Sequence, residues 1–262
     1  MSVQAHLDER GVLTLRLDRP DKRNAIDDVM MLALVAALEG ASTDGTRVVV
    51  LEGAGEHFCG GADIVARNAG SGERPRAGSV QRRLPNQAHR LIPLVCRVQV
   101  PVVCKVRGWA AGIGFQLALA SDFTIAAADA RFWEPFTERG FTPDSGATWL
   151  LPRRIGDVRA RELLLLGRAL TGAEAAEWGA IHRAVPEPDL DEAVAEVVGR
   201  LASGPTVALG LTKWLLDAAA SAELHAQLAN EAFALELSSR SEDFREGLAA
   251  FRQKRAPRFE GK

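Results

Sequence analysis

The chain has 262 residues, 47% hydrophobic and 25% charged, with a formal net charge of −2. That balance suits a globular domain and gives no general attraction to nucleic acid or an anionic membrane. No apolar run approaches the roughly 20 residues a membrane span needs. Three cysteines (Cys59, Cys96, Cys104) without C-x-x-C spacing argue against a disulfide framework or a zinc site. The N-terminal MSVQAHLDERG lacks a secretory pattern, so a cytoplasmic protein with reduced thiols is expected.

Leu13, Leu15 and Leu17 alternate within residues 12–18 and predict a strand, closed by Arg19-Pro20-Asp21. Asp27 or Asp28 can cap a helix to about residue 39, with Met30, Leu34, Ala37 and Leu38 at helical spacing. Residues 48–51 read as a short buried strand. It leads into the glycine-rich GAGEHFCGGADIV, with a helix start expected near Ala62. Residues 67–83 are rich in Gly, Ser and Arg and predict a loop that leaves Arg67, Arg74, Arg76, Arg82 and Arg83 in solvent. A helix follows over 84–98. The β-branched Val102, Val103 and Val106 predict a strand that Gly108 ends. The small residues from Ala110 to Gly114 come next, and from Phe115 the pattern is a buried helix. Residues 123–127 and 131–133 read as further strands. From residue 157 onward the pattern is mainly helical. Thr171 and Glu174 form a capping box for a helix ending near Gly179, and further helices cover 189–202, 205–220, 221–238 and 241–253. No repeat of fixed period is present.

The stretch PVVCKVRGWAAGIGFQLALASD, residues 101–122, is a strand, a glycine turn and the start of a buried helix. Such a start exposes backbone N–H groups that lack an intrahelical partner and sit at the positive end of the helix dipole. It can hold an anion or a developing oxyanion. A dinucleotide site would need a third glycine where Leu117 stands. Close packing alone is the other reading. His6, His57, His89, His182 and His225 are scattered without metal-ligand spacing, and Ser145 lacks the G-x-S-x-G elbow of a serine hydrolase. Glu134 and Glu138 read as ion-pair or surface carboxylates.

Six segments decide between these readings: DRPDKRNAI, HFCGGADI, VRGWAAGIGFQLALASD, FTPDSGATWLLPRRIG, AEWGAIHRAVP and AFRQKRAPRF. In this order, across essentially the whole chain, they resemble the enoyl-CoA hydratase/isomerase (crotonase) superfamily. The resemblance implies an α/β fold, a spiral of β-β-α turns over about 1–200 with the CoA site. A helical C-terminal region over about 201–262 would mediate trimer assembly. The implied partners are an acyl-CoA substrate and further copies of the chain, as a homotrimer or a dimer of trimers. No metal and no resident cofactor are implied, since CoA enters as part of the substrate.

By motif position the resemblance implies that the amides of Ala62 and Ile113 hold a thioester enolate. Ile113 stands where the family usually has glycine, which a backbone donor does not require. Lys22, Arg23, Ala25, Asp63 and Ile64 match the edge that meets the CoA adenine and phosphates, and Phe251 and Lys254 match tail residues that close on the nucleotide. The two glutamates of the family's hydratases are replaced by Gln116 and Phe136, neither of which exchanges protons at neutral pH. Asp144 stands where hydratases usually have glycine and matches the aspartate of the family's ring-opening epoxide/enoyl isomerases and aryl-CoA dehalogenases. The expected activity is isomerisation with Asp144 as base and Gln116 orienting the acyl group or a water. The alternatives are hydration, dehalogenation with Asp144 as nucleophile, or CoA binding without catalysis. A helix N-cap is the structural alternative for Asp144. Trp109, Phe115, Trp133, Phe136 and Trp149 suggest a broad apolar acyl pocket.

Overall fold

The computed structural model describes residues 2–64 and 76–262. Its strands are β1 (Val3–Leu7), β2 (Val12–Leu17), β3 (Val48–Gly53), β4 (Val102–Val106), β5 (Trp109–Ala111), β6 (Phe123–Ala127), β7 (Arg131–Trp133), β8 (Leu170–Thr171) and β9 (Arg183–Val185). Among the described residues, six of them form one sheet in the order β1-β2-β3-β4-β6-β9, and β5-β7-β8 form a second. β1 and β2 are antiparallel, and from β2 through β9 each neighbouring pair in the large sheet is parallel. Helices cover both faces of a parallel strand, so β3 is apolar without alternation, with Val48 to Leu51 all buried.

The helices that matter for the site are α1 (Asp28–Gly40), α2 (Ser79–Arg83), α3 (Ala88–Arg97), α4 (Ile113–Ala120), α5 (Ala147–Leu166) and α6 (Gly172–Glu177). Local chemistry sets several ends. Asp27, not Asp28, caps α1 by accepting from the Met30 N–H, and Thr171 and Glu174 form the expected reciprocal capping box of α6. Gly156, at φ 79°, kinks α5 near its middle.

Several expectations are corrected. β1 was not expected: Val3, Ala5 and Leu7 alternate with Gln4 and His6 over five residues only, in a largely exposed strand at the sheet edge, and β8 and β9, inside the span read as helical, are too short to show a period. Residues 79–83 are helical, not loop; Arg76, Arg82 and Arg83 are exposed, whereas Arg67 and Arg74 lie outside the described residues. The helix expected over 84–98 begins only at Ala88, behind a 3-10 turn at Leu84–Asn86 and a non-helical Gln87. The helix start expected near Ala62 stands, since Ile64 is helical, and Ala62 itself pairs with Ile26 in an isolated parallel bridge.

After α7 (Leu190–Ala202), the C-terminal region consists of α8 (Thr206–Ala219), α9 (Leu224–Ser238) and α10 (Glu242–Gln253). One buried charge pins α8 to the core. Lys213 Nζ lies 2.7 Å from Asp122 and donates to the carbonyls of Val95 at 2.8 Å and Val100 at 3.2 Å. The same Asp122 carboxylate accepts from the Val102 N–H at the head of β4. Burial pushes Lys213 down and Asp122 up, while their mutual attraction opposes both shifts. Large apolar side chains on the last three helices remain exposed, Leu224 at 74% and Phe251 at 83%.

The junction makes a stability prediction. Lys213→Met strands a part-buried carboxylate and two carbonyls, so urea unfolding should show a loss of about 3 kcal/mol. Asp122→Asn, which leaves the carbonyls partnered, should cost less.

Candidate active site

Because β3 and β4 run parallel, the turns that leave their C-terminal ends emerge side by side, the usual place for ligands in such sheets. The turns are stitched together. Cys59 N–H donates to Trp109 O and Ala111 N–H to Cys59 O, each at 2.9 Å. Gly61, at φ 105°, passes so close to Ala111 that a Cβ there would lie 3.2 Å from its carbonyl oxygen. Gly114 is tighter, since a Cβ there would stand 2.7 Å from Cys59 Cβ and 2.8 Å from Cys59 O. Burial pushes the Cys59 thiol up to about 12, so it stays protonated and acts as packing.

This pairing leaves two amides available. Ile26 N–H donates to Gly61 O and Asp63 N–H to Ile26 O, so in that parallel bridge the N–H of Ala62 points to the other side. Ile113 is the first residue of α4, and its N–H has no intrahelical carbonyl. The loop before α1 fixes the first turn from outside. Asn24, fully buried in a left-handed conformation, donates to the carbonyls of Ala54 and His57 at 2.9 and 2.7 Å and accepts from Arg19 N–H. Arg19 bridges Asp27 at 3.0 Å and Asp63 at 2.8 Å. Sequence reasoning missed both roles; an asparagine between Arg23 and Ala25 carries no periodicity.

Gln116 is one helical turn after Ile113 and completely buried. Its Nε2 donates to Glu134 Oε1 at 2.6 Å, while Gln116 Oε1 and Glu134 Oε2 are buried without a partner. Glu134, 1% exposed, is therefore not a surface charge, and among the described residues it is not half of an ion pair, which corrects the sequence expectation. Burial pushes its carboxyl well above the usual carboxylate range; the Gln116 hydrogen bond opposes this and the nearby Asp144 charge adds to it. Glu138 is on the surface, as expected.

Asp144 is half-buried and lines a cavity of about 730 Å³ with Val80, Leu84, His89, Phe141 and Pro143 among its walls. It does not cap α5, whose N-cap is Gly146 without a side-chain bond. Instead its carboxylate accepts from Ser145 Oγ at 2.8 Å, and its backbone carbonyl accepts from His89 Nε2 at 2.8 Å. Phe136 links the two halves of the site. Its Cζ lies 3.9 Å from the point a side chain on Gly112 would occupy, and its ring packs edge-on against Phe141 at 5.5 Å.

The other aromatics divide. Trp109 and Trp133 pack edge-to-face at 5.8 Å, Phe115 packs on Phe132 in the core, and Trp149 is exposed beneath the Arg153 guanidinium. Phe115 and Trp149 therefore do not join Asp144 in one pocket. Lys22 and Arg23 are exposed beside the first turn, Ala25 is half-buried, and Ile64 follows directly from the Ala62–Asp63 segment. Phe251 and Lys254 are exposed at the end of α10. The chain beyond them is fastened at Arg47, which donates to Phe259 O at the start of β3, the end opposite the turns. Among the described residues no group of three or more His, Cys, Asp or Glu side chains is placed to hold a metal, and no helix is long and apolar enough to cross a membrane.

Comparison with known proteins bears on the family and the fold. A family model described as enoyl-CoA hydratase/isomerase matches residues 8–262. A 1,2-epoxyphenylacetyl-CoA isomerase of Escherichia coli is 41% identical over 256 residues, covering 97% of each chain. A 2,3-dehydroadipyl-CoA hydratase of the same organism is 32% identical over 255 residues, again 97% of each. The crystal structure of an enoyl-CoA hydratase from Bacillus anthracis superposes with a TM-score of 0.92 at 32% identity over 100% of both chains.

The stitched turns can be tested without touching a polar side chain. Gly114→Ala forces the start of α4 away from Cys59 and the Ala62 turn, and kcat/KM should drop by about 10²-fold or more, as misplacement by an ångström commonly does. Gly199→Ala, on an exposed helical face with no atom within 4 Å of the new Cβ, should leave activity alone and raise stability by about 0.5–1 kcal/mol.

Proposed function

Because the chain belongs to the enoyl-CoA hydratase/isomerase family, we propose that it isomerises an acyl-CoA thioester with Asp144 as the base. Asp144 takes a proton from the acyl chain, and the C–H electron pair moves into the thioester, whose oxygen becomes an enolate. The amides of Ala62 and Ile113 stabilise that charge by a few kcal/mol each. Asp144 then returns the proton to another carbon on the same face, so one carboxylate serves both transfers. The observation that carries this reading is the allocation of carboxyl groups. Asp144 lines the cavity, while the positions of the two hydratase glutamates hold the amide Gln116 and the buried ring of Phe136. The name of the Escherichia coli isomerase supports the same choice.

Hydration is the second reading, favoured by the relative named a hydratase and by the carboxyl of Glu134 beside Gln116. Crotonyl-CoA separates the two, because only a hydratase makes 3-hydroxybutyryl-CoA from it. For the CoA moiety, Lys22, Arg23, Ala25, Ala62, Asp63 and Ile64 form the edge that meets adenine and phosphates. The carboxylate of Asp63 is held by Arg19 and lies 3.8 Å from Lys22. Phe251 and Lys254 project from the exposed tail, and we assign them to nucleotide contact within a trimer built on the apolar faces of α8 to α10. Light scattering should find three or six copies at micromolar concentration, and a monomer would contradict this.

Asp144→Asn keeps the acceptor for Ser145 and the backbone link to His89 but cannot take up a proton. Folding and CoA-ester affinity should be nearly unchanged, while kcat falls about 10²- to 10⁴-fold, the usual worth of a positioned acid–base group. Full activity in this variant on the best acyl-CoA substrate would remove Asp144 from the mechanism.

A further inference from the structure

Glu134 has no part in the proton cycle above, yet it is among the most completely buried ionisable groups of the chain. It follows the end of β7 and reaches α4, where its hydrogen-bond partner among the described residues is the amide of Gln116 at 2.6 Å. The charged group that acts on it is Asp144, from the loop before α5, and that charge has the same sign as an ionised Glu134. The nearest basic groups by sequence are engaged or remote: Arg139 stacks over Trp133, and Arg131 is exposed at the far end of β7. No ion pair to Glu134 occurs among the described residues. An isolated buried carboxylate in such surroundings is strongly disfavoured. Two acceptors, Gln116 Oε1 and Glu134 Oε2, are orphaned on the two side chains that already share one hydrogen bond. A single proton resolves both faults, since it neutralises the carboxyl and supplies the donor that the orphaned pair lacks.

We propose that Glu134 is a neutral carboxylic acid in the working protein. It donates from Oε2 to Gln116 Oε1 while accepting from Gln116 Nε2, and so acts as the positioning residue for Gln116. The reciprocal pair fixes the amide one turn from the Ile113 N–H and leaves its second N–H for the acyl group or a water. It also keeps a second negative charge away from Asp144 and from the forming enolate, where a like charge would raise the barrier. This role deepens the isomerase reading and rests on it for its kinetic consequence; the protonation state itself does not.

The test therefore has two arms. In the first, wild-type protein carrying glutamate labelled with ¹³C at the side-chain carboxyl is titrated by NMR. One resonance should report a protonated carboxyl at neutral pH and titrate only in the alkaline range, and it should be missing from Glu134→Gln. A spectrum in which every glutamate is ionised at neutral pH overturns the proposal, whatever reaction the protein catalyses. In the second arm, kcat/KM is followed against pH on the best acyl-CoA substrate. Wild type should lose activity on the alkaline side as Glu134 ionises, and Glu134→Gln should abolish that limb. Glu134→Ala, which orphans Gln116, should lower kcat about 10- to 100-fold, with Glu134→Gln recovering most of the loss. An alkaline limb unchanged in Glu134→Gln, or equal losses in the two variants, overturns the positioning role. If the variants do not fold, the resonance in wild type still decides the protonation state.

Discussion

The site depends on one short stretch of backbone pairing, the two hydrogen bonds that join Cys59 to Trp109 and Ala111. Parallel strands β3 and β4 deliver both turns to the same edge of the sheet, and this pairing fixes their separation. Everything that concerns charge follows from it. The Ala62 amide is turned outward because Gly61 and Asp63 are used in pairing with Ile26. The Ile113 amide is free of intrahelical bonding because α4 starts there. In the oxyanion role proposed for these two amides, the donors are in place before reaction, so no reorganisation is needed as charge develops. Glycine at 114 is a packing requirement of the same contact, since Cys59 occupies the space a side chain would need.

Around those amides the protein distributes its polar groups unevenly. Gln116 and Phe136 leave the α4 side of the site without an ionised side chain, and Glu134 is withdrawn from solvent behind Gln116. Asp144 is left facing the cavity, held by Ser145 and His89 rather than by the helix it precedes. Two carboxyl groups in different environments suit different roles, and the proposed mechanism gives proton uptake to the half-buried one and neutrality to the buried one. Phe136 and Phe141 carry an apolar wall from Gly112 to the cavity.

Much of this was legible in the sequence. β2, β3, β4, β6 and β7 stand where alternation or β-branched runs put them, and the caps of α1 and α6 follow from Asp27, Thr171 and Glu174. The family and the α/β class were carried by the ordered motifs. What escaped has physical reasons. β1 alternates Val3, Ala5 and Leu7 with polar residues over only five positions and is largely exposed, while β8 and β9 pair through backbone groups that any residue supplies. Glu134 looked like a surface carboxylate because residue type does not reveal burial; only the approach of β7 to α4 hides it. Asn24 and Arg19 act through geometry set by left-handed residues, which leaves no periodic trace. The aromatic residues near the glycine turns were grouped by sequence distance, and the fold separates Phe115 and Trp149 from the rest.

The central claim is that one half-buried aspartate shuttles a proton beside a backbone oxyanion site. The most direct measurement is proton NMR of a 3-enoyl-CoA incubated with the protein in D₂O. The account predicts migration of the double bond to the 2-position, with deuterium entering only the carbons that exchange protons and no 3-hydroxyacyl-CoA accumulating beyond a trace. Steady formation of 3-hydroxyacyl-CoA as the main product, with no double-bond migration, would contradict it.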